Sequence, residues 1–157
     1  MPGHRFAKPP GSVLEAHLGY WLRRVSNHVS GSFAKSLQDR NVSVAEWVAL
    51  SHINEHPEVR PNELADAMGM TRGAISKVVD KLEAKKWVAR KTLAADSRGH
   101  SLFLTRQGHR ALPELRAVAD RNDQRFFDCL DAKEKAALEA LLRKLTTSND
   151  IRNIPVE

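Results

Sequence analysis

The stretch Pro61-Asn62-Glu63-Leu64-Ala65-Asp66-Ala67-Met68-Gly69-Met70-Thr71-Arg72-Gly73-Ala74-Ile75-Ser76-Lys77-Val78-Val79-Asp80-Lys81-Leu82-Glu83-Ala84-Lys85 contains two helix starts and one helix end. Pro61 suits the first turn of a helix, where a missing N–H costs nothing, and Gly69 suits the left-handed position that ends one. Thr71 can then cap a second helix by accepting from a free backbone amide. In that second helix Ile75, Val78, Val79 and Leu82 fall on one face, while Arg72, Gly73, Ser76, Lys77, Asp80 and Lys81 fall on another. Two helices joined by a short glycine-containing turn form a helix-turn-helix layout.

Downstream, the apolar period changes from helical to alternating. Trp87-Val88-Ala89-Arg90-Lys91 and Ser101-Leu102-Phe103-Leu104 read as two strands of a β-hairpin with a basic tip at Ala94–Gly99. Thr105 caps a long helix reaching about Leu130, with Leu112, Leu115, Ala119, Phe126 and Leu130 on one side and Pro113 as a kink or interruption. Asp131 begins a last helix carrying Leu138, Leu141, Leu142 and Leu145. Upstream, Ser43-Val44-Ala45-Glu46 is a capping box opening a short buried helix that His56-Pro57 closes. Ser12-Val13-Leu14-Glu15 is a second such box, opening a helix that keeps Leu14, Leu18, Trp21, Val25, Val29, Phe33 and Leu37 in step to about Asp39. The fold class is mainly α with a small β-hairpin wing (α+β).

The 157 residues, 41% hydrophobic and 28% charged, amount to one ordinary globular domain, excluding collagen-like and disordered designs. The chain has no apolar run long enough to span a membrane and no signal-peptide core at its start, so a cytoplasmic protein with no membrane partner is expected. A single cysteine, Cys129, excludes an internal disulfide and a multi-cysteine zinc site; it reads as an inert thiol rather than a redox sensor. His17, His28, His52, His56, His100 and His109 form no short metal-ligand motif. Nucleophile elbows, P-loops, dinucleotide fingerprints and paired zinc histidines are missing too, so neither an enzyme nor a metal or cofactor is expected.

Residues 60–106 hold ten Lys/Arg against five Asp/Glu, a net of +5 out of the whole chain's +6. Charge concentrated around a helix-turn-helix points to double-stranded DNA, because phosphate contacts supply most nonspecific affinity. Thr71, Arg72, Gly73, Ser76, Lys77 and Lys81 are the expected DNA-facing residues of the second helix, joined by Arg90 on the first wing strand. Arg98 at the hairpin tip suits an adjacent minor groove, where narrow A·T segments attract arginine. His17, Tyr20, Trp21 and Arg24, with Trp47, form a candidate aromatic pocket carrying a cation for an anionic ligand; the bland alternative is a packed dimer core.

Three stretches carry a family resemblance: Pro61–Ala65, Thr71–Glu83, and the pattern D-x-R-x5-LT-x2-G formed by Asp96, Arg98, Leu104, Thr105 and Gly108. Over roughly residues 12–147 the chain resembles the MarR (multiple antibiotic resistance regulator) family of winged helix-turn-helix transcription factors. The resemblance implies a single domain in which 1–40 and 106–157 supply dimerisation helices and 41–105 form the DNA-binding lobe. It also implies a homodimer on a pseudo-palindromic operator, acting as a repressor released by a small aromatic or phenolic effector. One departure stands out: Lys86 occupies a position where the family usually has glycine. An architectural DNA-binding protein without an effector, and a winged-helix module that holds another protein, are the competing readings.

Overall fold

The computed structural model describes residues 11, 13–92 and 99–156. The Ser12 cap and the Asp96 and Arg98 assignments at the wing tip lie outside the described residues. Six α-helices and one hairpin follow in the order α1 (Leu18–Gln38), α2 (Val44–Glu55), α3 (Pro61–Met68), α4 (Arg72–Ala84), β1 (Val88–Thr92), β2 (His100–Leu104), α5 (Arg106–Phe127) and α6 (Ala132–Ser148).

Local capping chemistry sets most of these boundaries. Ser43 accepts from the Glu46 amide while the Glu46 carboxylate accepts from the Ser43 amide, and Asp131 and Glu134 repeat that box at α6. Thr71 accepts from the Ala74 amide, so the cap expected for the second helix of the pair is present. The first helix departs from expectation. Val13–Ala16 form a separate 3-10 turn, and α1 starts after His17, which has extended backbone angles and no side-chain cap. The Trp21 indole N–H donates to the Glu15 carbonyl at 2.9 Å, satisfying an acceptor that the break leaves without a helical partner. Pro113 does not interrupt α5, which runs continuously to Phe127, three residues short of the expected end.

Four helices end in the same way. Asn41, Gly69, Lys86 and Asp150 all have positive φ, and the amide following each bonds back to a carbonyl five residues earlier in the chain. After α4 the Trp87 amide reaches the Leu82 carbonyl at 3.0 Å and the Lys86 amide reaches the Glu83 carbonyl at 2.8 Å. Lys86 therefore fills the left-handed position itself, at φ 59°, where glycine would meet no steric penalty. This geometry also keeps Trp87 out of β1, which starts one residue later than the alternation suggests.

The hairpin pairs antiparallel from Val88↔Leu104 to Thr92↔His100, and Val59 adds an isolated bridge to Leu102. Its base is clamped to α5. The Thr105 hydroxyl donates to the Lys86 carbonyl and accepts from the Gly108 amide, and the Thr105 amide donates to the Trp87 carbonyl at 2.9 Å. A Cβ on Gly108 would sit 2.1 Å from the Trp87 carbonyl oxygen, so this approach excludes every other residue.

The core lies under the central lobe, where Leu50, Ile53, Leu64, Met68, Ile75, Val79, Leu82 and Leu102 are buried with Leu37 of α1 and Leu112, Leu115 and Val118 of α5. On α5 the buried stripe follows Leu112, Leu115, Val118 and Asn122; the expected Ala119, Phe126 and Leu130 are only half-buried. The partner that α1 requires is α5, held by the Asn122 amide donating to the Val29 carbonyl and by Arg125 donating to the Ser32 hydroxyl. By contrast, α6 has no buried residue, and Leu18, Leu22, Leu141 and Leu145 are at least half exposed.

Two substitutions test the junction. Lys86→Gly should raise unfolding free energy by about 1 kcal/mol by relieving the left-handed lysine, whereas Gly108→Ala should lower it by about 1–3 kcal/mol through overpacking. Urea denaturation followed by circular dichroism would read both.

Candidate nucleic-acid interface

Helix α4 is amphipathic in the expected sense. Ile75, Val78, Val79 and Leu82 are buried, and Thr71, Arg72, Gly73, Ser76, Lys77 and Lys81 are exposed. A Cβ on Gly73 would meet nothing within 4 Å, so the outer face of the first turn is open. The Thr71 hydroxyl is committed to the Ala74 amide, making it a structural cap as well as a surface group.

Arg72 and Ser76 line a concavity of about 350 Å³ together with Arg60, Pro61 and Asn62 from the start of α3 and Gly99 and His100 from the wing. This places two arginines and a histidine on three different elements around one depression. The linear pattern does not show that Arg60 and Asn62 at the start of α3 and His100 of β2 join Arg72 and Ser76, because the depression is built from three separate elements; the only sequence signal is that Arg60 belongs to the basic block. Lys81 lies elsewhere, bordering a groove with Asn41, Ser43 and Glu46 near the α1–α2 turn.

Arg90 has a different environment from the one expected of a free DNA contact. Its Nε donates to Glu83 and its Nη2 to Asp80, both at 3.1 Å, so β1 is tied to the exposed side of α4. Of the residues assigned to DNA on the described wing, Arg90 is thus neutralised and acts first as a brace.

The far end of α4 is fixed by an ion pair whose carboxylate is buried and whose lysine is half-buried. Lys85 Nζ lies 2.5 Å from Glu46 Oε1, also donates to the Asn41 carbonyl, and sits 5.4 Å from the Trp87 ring centre. Burial pushes the Glu46 carboxyl up, but hydrogen bonds from Lys85 and Ser43 and the Lys85 charge outweigh it, leaving the group below the usual carboxylate range. One residue thus caps α2 and anchors the last turn of α4.

The expected aromatic cluster is only partly assembled. Tyr20 and Trp21 meet edge-to-face at 5.5 Å, and Arg24 lies 5.7 Å from the Trp21 ring centre while donating to the Tyr20 hydroxyl. Trp21 and Arg24 line an open groove of about 340 Å³ with Val25, His28 and Phe126. His17 Nδ1 lies 3.0 Å from the Val13 carbonyl oxygen, where it braces the 3-10 turn. Trp47 is not among the groove's lining residues; it packs edge-to-face with Phe33 at 6.3 Å, against the core. Among the described residues no group of three or more His, Cys, Asp or Glu is placed to hold a metal ion, and no helix is long and apolar enough to cross a membrane.

Comparison with known proteins agrees with this geometry. Residues 40–99 match the sequence model of the MarR family. A Thauera aromatica protein named as a transcriptional regulator for the hcr operon is 32% identical over 133 residues, covering 84% of this chain and 80% of that protein. The chain belongs to the MarR family. The transcriptional repressor MprA of Escherichia coli is 29% identical over 118 residues, spanning 74% of this chain and 67% of MprA. Among solved structures, BpsR of Bordetella bronchiseptica, whose DNA binding is regulated by 6-hydroxynicotinic acid, superposes with a TM-score of 0.72 at 25% identity, over 87% of this chain and 97% of that one. Family membership makes the chain a DNA-binding transcriptional regulator with a winged helix-turn-helix.

Because Glu46 has a depressed pKa in the folded chain, its stabilising contribution is complete above the ordinary carboxylate pKa and is lost as the pH falls through the lower folded value. Glu46→Gln should cost about 2–3 kcal/mol at neutral pH and should flatten the acid limb of a stability–pH profile measured by urea denaturation. An acid limb unchanged in the variant would contradict the ion pair's role.

Proposed function

We propose that the chain is a ligand-responsive repressor that binds a pseudo-palindromic operator as a homodimer, presenting one α4 helix to each of two successive major grooves. The observation that carries this reading is the open start of α4, where Arg72, Gly73, Ser76 and Lys77 of the first two turns are exposed beside a cationic depression while the opposite face is locked into the core. Arginine and lysine can reach guanine edges in a major groove, and the Ser76 hydroxyl can pair with any base. Arg60 and His100 would engage the flanking backbone, and Arg98 an adjacent minor groove.

The dimer reading rests on unspent apolar surface. Leu18 is 88% exposed, Leu141 60%, Leu22 53% and Leu145 52%, all on the two terminal helices. Burying each such side chain supplies about 1.5–3 kcal/mol, and a second copy would supply the same helices in return. Residues 1–40 and 106–157 would then form the dimer layer and 41–105 the reading lobe.

Repression is supported by the likeness to MprA, and an aromatic acid effector by the likeness to BpsR. The groove of Trp21, Arg24, Val25, His28 and Phe126 has the chemistry for such a ligand: flat apolar walls and one guanidinium. Trp21 and Val25 also belong to the exposed apolar face of α1, so an acid bound there would alter how the two copies meet and hence the spacing of the α4 helices.

The test uses a duplex enriched from a random-sequence pool, with binding measured by fluorescence anisotropy. Arg72→Ala should weaken binding by about 1–3 kcal/mol and relax the preference at one position in each half-site, whereas Arg60→Ala should weaken all sequences alike and reduce the salt slope by about 1.8, one phosphate contact from each of two copies. Leu141→Glu with Leu145→Glu should convert the dimer to monomer in sedimentation experiments and abolish tight binding. Unaltered affinity in Arg72→Ala, with an intact circular dichroism spectrum, would refute the α4 assignment.

A further inference from the structure

On the α1–α5 seam, Ser32 and Ser36 of α1 and Arg40 just beyond its end face Arg121, Asn122 and Arg125 of α5 around a depression of about 200 Å³. Three guanidiniums line it, and no carboxylate does. Arg121 and Arg125 are four apart on one helix, where like charges repel, and Arg40 adds a third positive charge from across the seam. None of the three forms an ion pair among the described residues.

Two of these side chains are already positioned by neutral partners. Arg125 Nη1 donates to the Ser32 hydroxyl at 3.3 Å and its guanidinium carbon lies 5.4 Å from the Phe126 ring centre, while Arg40 Nη1 donates to the Ser36 carbonyl at 3.3 Å. These contacts hold the groups without neutralising them. Because Ser32 accepts from Arg125, its own hydroxyl proton remains free to donate. Asn122, 7% exposed, closes the floor by donating to the Val29 carbonyl. The volume is below that of a pocket for a whole drug-sized molecule and suits a single charged group.

We propose that this seam is an oxyanion-binding site, taking a carboxylate or phosphate group on the guanidiniums of Arg40, Arg121 and Arg125 and the Ser32 hydroxyl. Charge-assisted bonds to a guanidinium are the strong class of hydrogen bond, and an anion here would relieve a repulsion built into the apo protein. It would also cross-link the two helices that lead to the α2 cap and to the wing. The seam shares no lining residue with the aromatic groove, although Arg125 lies against the Phe126 ring that lines it, and it belongs to the helices proposed to form the dimer layer.

The test is thermal unfolding of the full-length protein with inorganic phosphate or sodium acetate against sodium chloride at matched ionic strength. A site with a dissociation constant near ~1 mM would raise the folding equilibrium constant ~11-fold at ~10 mM anion. The proposal expects a stabilisation by phosphate or acetate that is lost in Arg121→Gln and in Arg125→Gln, both folded by circular dichroism, and retained in Arg72→Gln. Stabilisation by phosphate alone would assign a phosphate ligand, and by acetate alone a carboxylate. No stabilisation beyond chloride, equal stabilisation in the two α5 variants, or its loss in Arg72→Gln would overturn the proposal.

Discussion

Everything the interface can do depends on one close approach, the Trp87 carbonyl lying over Gly108. That contact sets the first turn of α5 directly against the link between α4 and the wing, and Thr105 seals it with bonds to both sides. The reading helix, the hairpin and the long helix that leaves the lobe therefore leave from a single rigid point. The Thr105 and Gly108 contacts thus fix the relative placement of α5, α4 and the base of the wing. The left-handed Lys86 is part of the same point: its carbonyl accepts from Thr105, so the strained residue is held by the clamp it serves.

Charge divides into two populations around this frame. Lys85 and Arg90 are spent on Glu46 and on Asp80 with Glu83, bracing the end of α4 and the first wing strand. Arg60, Arg72, Ser76 and His100 surround an open depression instead. Net charge alone cannot separate them. The basic block is partly structural: Asp80 and Glu83 are already counted within its +5, and the Lys85–Glu46 pair, whose acid lies outside the block, spends one further positive charge.

The central lobe was legible in the sequence because its boundaries are local events. A proline, a left-handed glycine and threonine or serine caps act within a few residues, and the structure reproduces the ends of α2, α3 and α4 at the expected places. What failed to show were tertiary outcomes. The split at His17 depends on Trp21 reaching back to Glu15, and the pairing of Arg90 depends on where β1 crosses α4. Residue chemistry alone groups Trp47 with Tyr20 and Trp21, yet α2 directs it to Phe33. Periodicity correctly marked α6 as amphipathic, but periodicity says only that a face is apolar, not what covers it. The motif ending in Gly108 is a pattern in the sequence, and its physical reason is a carbonyl lying where a side chain would be.

The central claim is that two copies of α4 read one inverted repeat from a fixed separation. Hydroxyl-radical footprinting of the enriched duplex, with stoichiometry from sedimentation of the complex, tests it most directly. Two protected segments related by a dyad, centred about 10–10.5 base pairs apart and bound by two chains, are predicted. A single protected segment bound by one chain, or even protection across unrelated sequences, would contradict it.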